Sequence, residues 1–168
     1  MVAATVRIFI PKKIFVLLMS KDKDLKVMSK VFLTRRERFN AAHRMFRAEW
    51  SDEKNLEIYG KCSNPNWHGH NYTLFVTVTG ELKSEIGYVV NLKTLSALIN
   101  EHIIEKVDHK NINLEVDFMK DRIPSSENLA IAIWEELKPH IIALGIELHC
   151  IKIEETENNF VEYFGPNV

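Results

Sequence analysis

The stretch from residue 68 to residue 81 most constrains the fold, because two histidines directly precede a clear strand pattern over residues 71–81 and would lie at its end if the strand begins early. Its even positions from 74 to 78 are Leu, Val and Val, and threonines occupy most of the odd positions, which predicts a strand with one apolar face. His68 and His70 share the parity of the apolar residues, so both imidazoles point to the same side. The sequence therefore predicts two potential metal ligands at a rigid strand end.

Two amphipathic helices are predicted after this strand. Residues 92–107 carry apolar side chains at spacings of three and four, and Asn91 before them is a suitable N-cap. Residues 127–142 show a similar stripe, with Ser125 or Ser126 as the cap. Each helix therefore has one face to bury.

Three further segments have strand patterns. A weak alternation covers residues 31–43, a clearer one covers 147–155, and a last short strand covers 160–164. The order of elements is strand, strand, helix, helix, strand, strand, and short turns join the paired strands. We therefore predict an α+β fold in which helices cover one face of an antiparallel sheet.

Length and charge limit the function classes. The chain has 168 residues, 46% of them hydrophobic, and a net charge of -1, which suits one domain without a field for nucleic acid or an anionic membrane. The expected partner is a small molecule or another protein chain. Cys62 and Cys150 are too far apart in sequence for a metal knuckle and too few for a disulfide scaffold, so we expect free thiols and a cytoplasmic location.

The first 30 residues differ from the remainder. Residues 1–20 are basic and lack acids, but they are too short and too interrupted by Pro11 to span a bilayer. We expect residues 1–30 to be a dispensable, disordered N-terminal extension and residues 31–168 to form the domain. Mitochondrial targeting by residues 1–20 is the alternative.

A third histidine would complete a metal site. Of the five other histidines, only His43 ends a predicted strand on that strand's apolar parity. Antiparallel pairing of strand 31–43 with strand 68–81 would place it beside His68 and His70. Three neutral histidines leave a position open, as in catalytic zinc sites. The alternative for any single histidine is a hydrogen-bonded structural role.

Cys62 and Glu155 are candidates for proton transfer. Cys62 lies in a polar, turn-rich stretch, which favours an exposed, reactive thiol over a buried small hydrophobe. Glu155 continues the apolar face of its strand, where an unpaired carboxylate would be costly. We therefore assign both to a functional site.

A second acid and imidazole pair, Asp108 and His109, follows the first helix, although such a dipeptide in a loop is often structural. Glu127 lies in the first turn of the second helix, where it also favours the helix dipole.

These motifs resemble the eukaryotic 6-pyruvoyl-tetrahydropterin synthase family. The resemblance covers residues 30–168. It is carried, in order, by FNAAHR, NLEIYGKCSNPNWHGHNY, VDHKN, SSEN and EET. It implies a tunnelling fold with a four-stranded antiparallel sheet and two helices on one face. Three subunits would form a barrel, and two trimers a homohexamer with active sites between subunits.

The resemblance also implies residue roles. His43, His68 and His70 match zinc ligands, and Cys62 matches the catalytic thiol. Asp108 and His109 match its partners from a neighbouring subunit. Glu127 and Glu155 match acids that bind the pterin, and Glu155 also matches a proton relay. The implied reaction is a lyase step in tetrahydrobiopterin biosynthesis that converts 7,8-dihydroneopterin triphosphate to 6-pyruvoyl-tetrahydropterin with loss of triphosphate.

Two departures and two alternatives accompany the resemblance. Trp67 occupies a glycine position of vertebrate-like members, and serines 125 and 126 occupy threonine positions. The alternatives are the related 6-carboxytetrahydropterin synthase and a non-enzymatic, zinc-stabilised binding module. The five residues between Cys62 and His68 favour the pyruvoyl enzyme over the first, and the presence of Cys62 with Asp108 and His109 disfavours the second.

Overall fold

The sheet of the computed structural model has five strands in the order β3-β1-β2-β4-β5. The structure describes residues 30–166, so the expected extension over residues 1–30 lies outside the described residues except for Lys30. The strands are β1 (Lys30–His43), β2 (His68–Glu81), β3 (Lys110–Asn111), β4 (Glu147–Glu154) and β5 (Phe160–Tyr163). The four longer strands pair antiparallel as predicted, and the two-residue β3 adds a parallel pairing to β1.

The helices connect these strands. They are α1 (Asp52–Tyr59), α2 (Leu92–Ile99, a π turn Asn100–Ile104 and Glu105–Val107), α3 (Ile112–Glu115) and α4 (Ser126–Ala143). Short 3₁₀ turns cover Gly60–Ser63 and Asp117–Met119. None of the helices among residues 30–166 combines the length and the apolar character that a membrane crossing requires.

The long β1–β2 pair forms the centre of the sheet. Its register runs from Lys30 opposite Glu81 to His43 opposite His68. Odd positions of β1 and even positions of β2 face the helices, and Phe39, Leu74 and Val76 are fully buried there. The alternation in the sequence therefore correctly predicted the buried face of β2, and the structure shows that the strand begins early, at His68.

Arg35 and Glu37 are charged residues on the face of β1 that is directed toward the helices, and they pair with each other. Arg35 Nε donates to Glu37 Oε1 over 2.7 Å, and Ser96 Oγ of α2 donates to the same oxygen over 2.8 Å. Asn100, where the π turn begins, donates to the Ser96 carbonyl. These contacts satisfy the charged groups, so two charged residues can occupy positions of β1 where the alternation of apolar residues is interrupted.

Helix α4 begins close to the end of β1 that carries His43. Ser125 is its N-cap and accepts from the Asn128 N–H over 3.3 Å, which decides between the two predicted caps. Its buried stripe, which includes Leu129, Ile133 and Leu137, packs against β4 and β5. This packing brings the residues just before the helix to the end of β1.

Helix α1 was missed by the sequence analysis because it lacks an amphipathic stripe. Leu56 and Ile58 are exposed, and its buried residue is Asn55. The Asn55 side chain accepts from the Arg47 N–H and donates to the Arg47 carbonyl, so the helix is held by polar contacts rather than by an apolar face.

Candidate active site

Three histidines converge where β1 and β2 meet. His43 lies opposite His68 in the register, and His70 lies opposite Ala41. One ring nitrogen from each histidine lies within 4.8 Å of the others, which is a spacing that a metal ion can bridge. Gly69 allows the backbones of β1 and β2 to lie close together at this point, because a Cβ at position 69 would lie only 3.0 Å from the Ala41 carbonyl oxygen.

The hydrogen bonding of the ring nitrogens also suits a metal site. Within residues 30–166, His43 Nε2 and both ring nitrogens of His68 are buried without a hydrogen-bond partner. Such orphaned polar atoms are costly unless a ligand satisfies them. His43 Nδ1 lies 2.7 Å from the Pro124 carbonyl oxygen, and donation to that oxygen directs Nε2 toward the other two histidines. These residues could hold a metal.

Burial lowers the pKa of all three imidazoles and so favours their neutral form. It is the largest cause of a lowered pKa at His43, where the bond to Pro124 and the charge of Glu155 oppose it. It also lowers the pKa of His68, assisted by His43, and the pKa of His70. Metals bind the neutral imidazole, so the site is electrostatically prepared for one.

Glu155 lies beside this cluster, directly after β4. Its Oε1 is 3.6 Å from His43 Nε2 and 3.5 Å from His70 Nε2. A backbone bond from the Glu155 N–H to the Asn159 carbonyl holds the turn in which it lies. The carboxylate therefore occupies the face that the sequence predicted for it and can accept protons or ligand hydrogen bonds.

Cys62 lies in the 3₁₀ turn that follows α1. Gly60 ends that helix with a φ of 55°, and the Met45 N–H donates to the Cys62 carbonyl over 2.8 Å. The thiol is partly exposed and free. Cys62 lines the same cavity as His68 and His70.

Two cavities meet at Cys62. The first, here called the α1 cavity, has a volume of about 640 Å³, and its lining includes Arg44, Leu56, Lys61, Cys62, His68 and His70. The second, the α4 cavity, has a volume of about 450 Å³, and its lining includes Cys62, Ser126, Glu127, Glu155, Asn159 and Phe160. A ligand bound at the histidines can extend into both.

The α4 cavity suits a ligand rich in hydrogen-bond donors. Glu127 and Glu155 both line it, and none of the described residues around it is a lysine or arginine. Ser126 Oγ is buried without a partner among the described residues and also belongs to this lining. Paired carboxylates of this kind bind amino and amide groups.

Asp108 and His109 are brought together but not next to Cys62. Asp108 Oδ2 lies 2.9 Å from His109 Nδ1, and its Oδ1 accepts from the Asn40 N–H over 2.8 Å. The Asn40 bond, followed by His109, lowers the pKa of Asp108. His109 has a φ of 58°, and its side chain is 76% exposed. Within residues 30–166 neither residue has a hydrogen bond or ion pair to the thiol.

Tyr72 is a site residue that the sequence analysis left without a role. It is almost fully buried, stacks on Phe39 with ring centroids 4.9 Å apart, and lies edge-on to His70 at 5.5 Å. Burial, followed by the charges of Glu155 and Cys62, raises the pKa of Tyr72, so its hydroxyl keeps its proton. Its parity with His68 and His70 was the available signal, whereas nothing in the sequence indicated the Pro124 carbonyl.

Trp67, directly before His68, adopts a backbone conformation that favours glycine. Its φ is 65°, and its N–H donates to the Asn64 carbonyl over 3.0 Å. Its indole lies edge-on to Phe46 at 6.5 Å between centroids. The turn that presents His68 therefore carries backbone strain in this chain.

Comparisons with known proteins agree with this geometry. A family model described as 6-pyruvoyl tetrahydropterin synthase matches residues 32–166. The chain is 42% identical to 6-pyruvoyl tetrahydrobiopterin synthase of Homo sapiens over 133 residues, covering 79% of this chain and 90% of that protein. It is 44% identical to the Dictyostelium discoideum protein of the same name over 135 residues, covering 80% and 96%. The structure of Caenorhabditis elegans 6-pyruvoyl tetrahydropterin synthase is similar, with a TM-score of 0.77, 37% identity, and coverage of 83% and 98%.

Proposed function

Since the chain belongs to the 6-pyruvoyl tetrahydropterin synthase family, we propose that it is a zinc-dependent lyase of tetrahydrobiopterin biosynthesis. It converts 7,8-dihydroneopterin triphosphate to 6-pyruvoyl-tetrahydropterin with loss of triphosphate. The observation that carries the proposal is the convergence of three histidines at a cavity that is also lined by a free thiol. A three-histidine site keeps a position open for substrate, as catalytic zinc sites do.

His43, His68 and His70 hold the zinc in this proposal. Zinc held there would supply Lewis acidity to the hydroxyl groups of the substrate side chain. Cys62 borders the same cavity as His68 and His70, where it accepts and returns protons of that side chain. Because the reaction oxidises the side chain while it reduces the ring, no further redox cofactor is required.

Glu127 and Glu155 orient the substrate ring in the α4 cavity. Their carboxylates accept hydrogen bonds from the amino and amide groups of the pterin. Glu155 also lies close enough to His43 and His70 to relay protons between the ring and the side chain.

Asp108 and His109 serve the thiol of a neighbouring subunit in this proposal. The Asp108 carboxylate orients the imidazole of His109, whose side chain is exposed. A homohexamer built as a dimer of trimers, with barrels closed through sheet edges, would bring the two together. Residues 31–168 form the catalytic domain, and dependence on a free thiol suits the cytoplasm.

Product identification tests the proposed reaction. Purified, zinc-loaded protein is incubated with dihydroneopterin triphosphate, and the pterin product is identified by chromatography and mass spectrometry. We expect the pyruvoyl product together with released triphosphate. A carboxy product would assign the chain to the carboxytetrahydropterin reaction, and zinc binding without turnover would support a binding module.

A further inference from the structure

The two cavities that meet at Cys62 have opposite charge. The α4 cavity is lined by two carboxylates, and none of its described lining residues is a lysine or arginine. The α1 cavity is lined by Arg44 and Lys61 with a single carboxylate, that of Asp52. A third cavity, which also borders His70, is lined by Asp108, Glu154, Glu155 and Glu157 with one arginine. An anionic group bound near the histidines is therefore repelled from the α4 cavity and from this third cavity and is attracted toward the α1 cavity.

Arg44 is preorganised in the α1 cavity. Its Nε donates to the Ser63 carbonyl over 2.7 Å, and its guanidinium lies 4.4 Å above the Phe46 ring. Its Nη2 contacts Asp52 at 3.3 Å, but the side chain of Asp52 is 85% exposed, so solvent weakens that pair. Within residues 30–166, Nη1 makes no hydrogen bond. The arginine side chain is therefore held in place, and its Nη1 remains available to donate hydrogen bonds to an anion.

Lys61 is the second cation and directly precedes the thiol. It lies exposed in the Gly60–Ser63 turn, and it forms no ion pair with any residue in the described part of the chain. An ammonium group on a flexible stem binds a phosphate as a mobile point charge. The Gly60–Ser63 turn therefore contains the Cys62 thiol, which is the proposed proton acceptor, and next to it in the chain the ammonium group of Lys61.

Building on the proposed function, we propose that the α1 cavity binds the triphosphate group of the substrate through Lys61 and Arg44. The pterin ring then lies in the α4 cavity, and the carbon side chain crosses the histidines and Cys62 between them. This arrangement assigns the ends of the substrate to opposite cavities by charge. It also makes the α1 cavity a binding site for the released triphosphate.

Charge variants of exposed lysines test this assignment. Binding of inorganic tripolyphosphate to the zinc-loaded protein is measured by calorimetry, and KM is measured with the full substrate. Lys61→Gln should weaken tripolyphosphate binding about tenfold and raise KM by a similar factor, because one charge-assisted contact is lost. Zinc content and the binding of unphosphorylated neopterin should not change. Lys61→Arg should restore tripolyphosphate binding.

Lys54→Gln is the matched control, since Lys54 lies on α1 and pairs with Glu57 rather than lining the cavity. Equal losses in Lys54→Gln and Lys61→Gln would indicate only a general charge effect and would overturn the site. An active enzyme with unchanged KM in Lys61→Gln would also overturn it while leaving the proposed reaction intact. Tripolyphosphate binding that depends on Lys61, without any turnover, would retain the anion site and reject the reaction.

Discussion

His43 and His68 lie directly opposite one another in the β1–β2 register, and their ring centroids are 4.4 Å apart. This cross-strand pair forms the centre of the candidate metal site. His70 joins it from two residues along the same strand, at 5.0 Å from His68. Because the pairing register fixes all three positions, the site is as rigid as the sheet itself.

Replacement of His68 by alanine should remove zinc. The variant loses one of three ligands, and a two-histidine remnant binds zinc much more weakly. Atomic absorption of the dialysed protein should therefore give a metal-to-protein ratio well below that of the unaltered chain. His140→Ala is the control, because His140 lies on α4 and stacks on His102 away from the site. Unchanged zinc in His68→Ala would refute the ligand assignment.

Cys62→Ala should abolish turnover while retaining zinc and the fold. Cys62 is partly exposed, so loss of its thiol leaves no large cavity. The backbone carbonyl of residue 62 still accepts the hydrogen bond from the Met45 N–H. Activity and metal content measured on one preparation separate the two roles. Cys150→Ala, which alters a buried thiol on β4, should lower the melting temperature but keep turnover. An active Cys62→Ala enzyme would exclude the thiol from the mechanism.

The metal-free protein should lose stability as the pH falls below 6.5. The pKa values of His43, His68 and His70 are lowered by burial, so the unfolded chain binds more protons than the folded chain in that range. The stabilisation is complete above the unfolded value of 6.5 and is lost as the pH drops through the folded values. Thermal unfolding of chelator-treated protein between pH 7.5 and 5 measures this. His68→Ala should show a shallower dependence, and an equally steep one would contradict the explanation.

Trp67→Gly should be more stable than Trp67→Ala by roughly 1 kcal/mol. Both variants lose the indole and its contact with Phe46, but only alanine keeps a side chain at a φ of 65°. Comparing two truncations removes the indole's own contribution from the difference. Urea unfolding at equilibrium gives both free energies. Equal stabilities would mean that the turn relaxes to another conformation when the indole is absent.

Much of this architecture was predictable from local patterns. The period of two in β2 and the period near 3.6 in α2 and α4 follow from burial of one face, which each segment signals by itself. The parity of His43, His68 and His70 was predictable for the same reason. Helix α1 was not, because its stability comes from the caps and from polar contacts of Asn55 rather than from a stripe.

The sequence by itself determined the four longer strands, the two amphipathic helices, the faces they bury, and the residue types available for zinc and proton chemistry. Only the tertiary structure decided that the Pro124 carbonyl orients His43, that Glu155 lies about 3.5 Å from His70, and that cavities of opposite charge meet at Cys62. His43 and Pro124 are 81 residues apart in the chain. Such contacts depend on how α4 packs against the sheet, and no local periodicity specifies that packing.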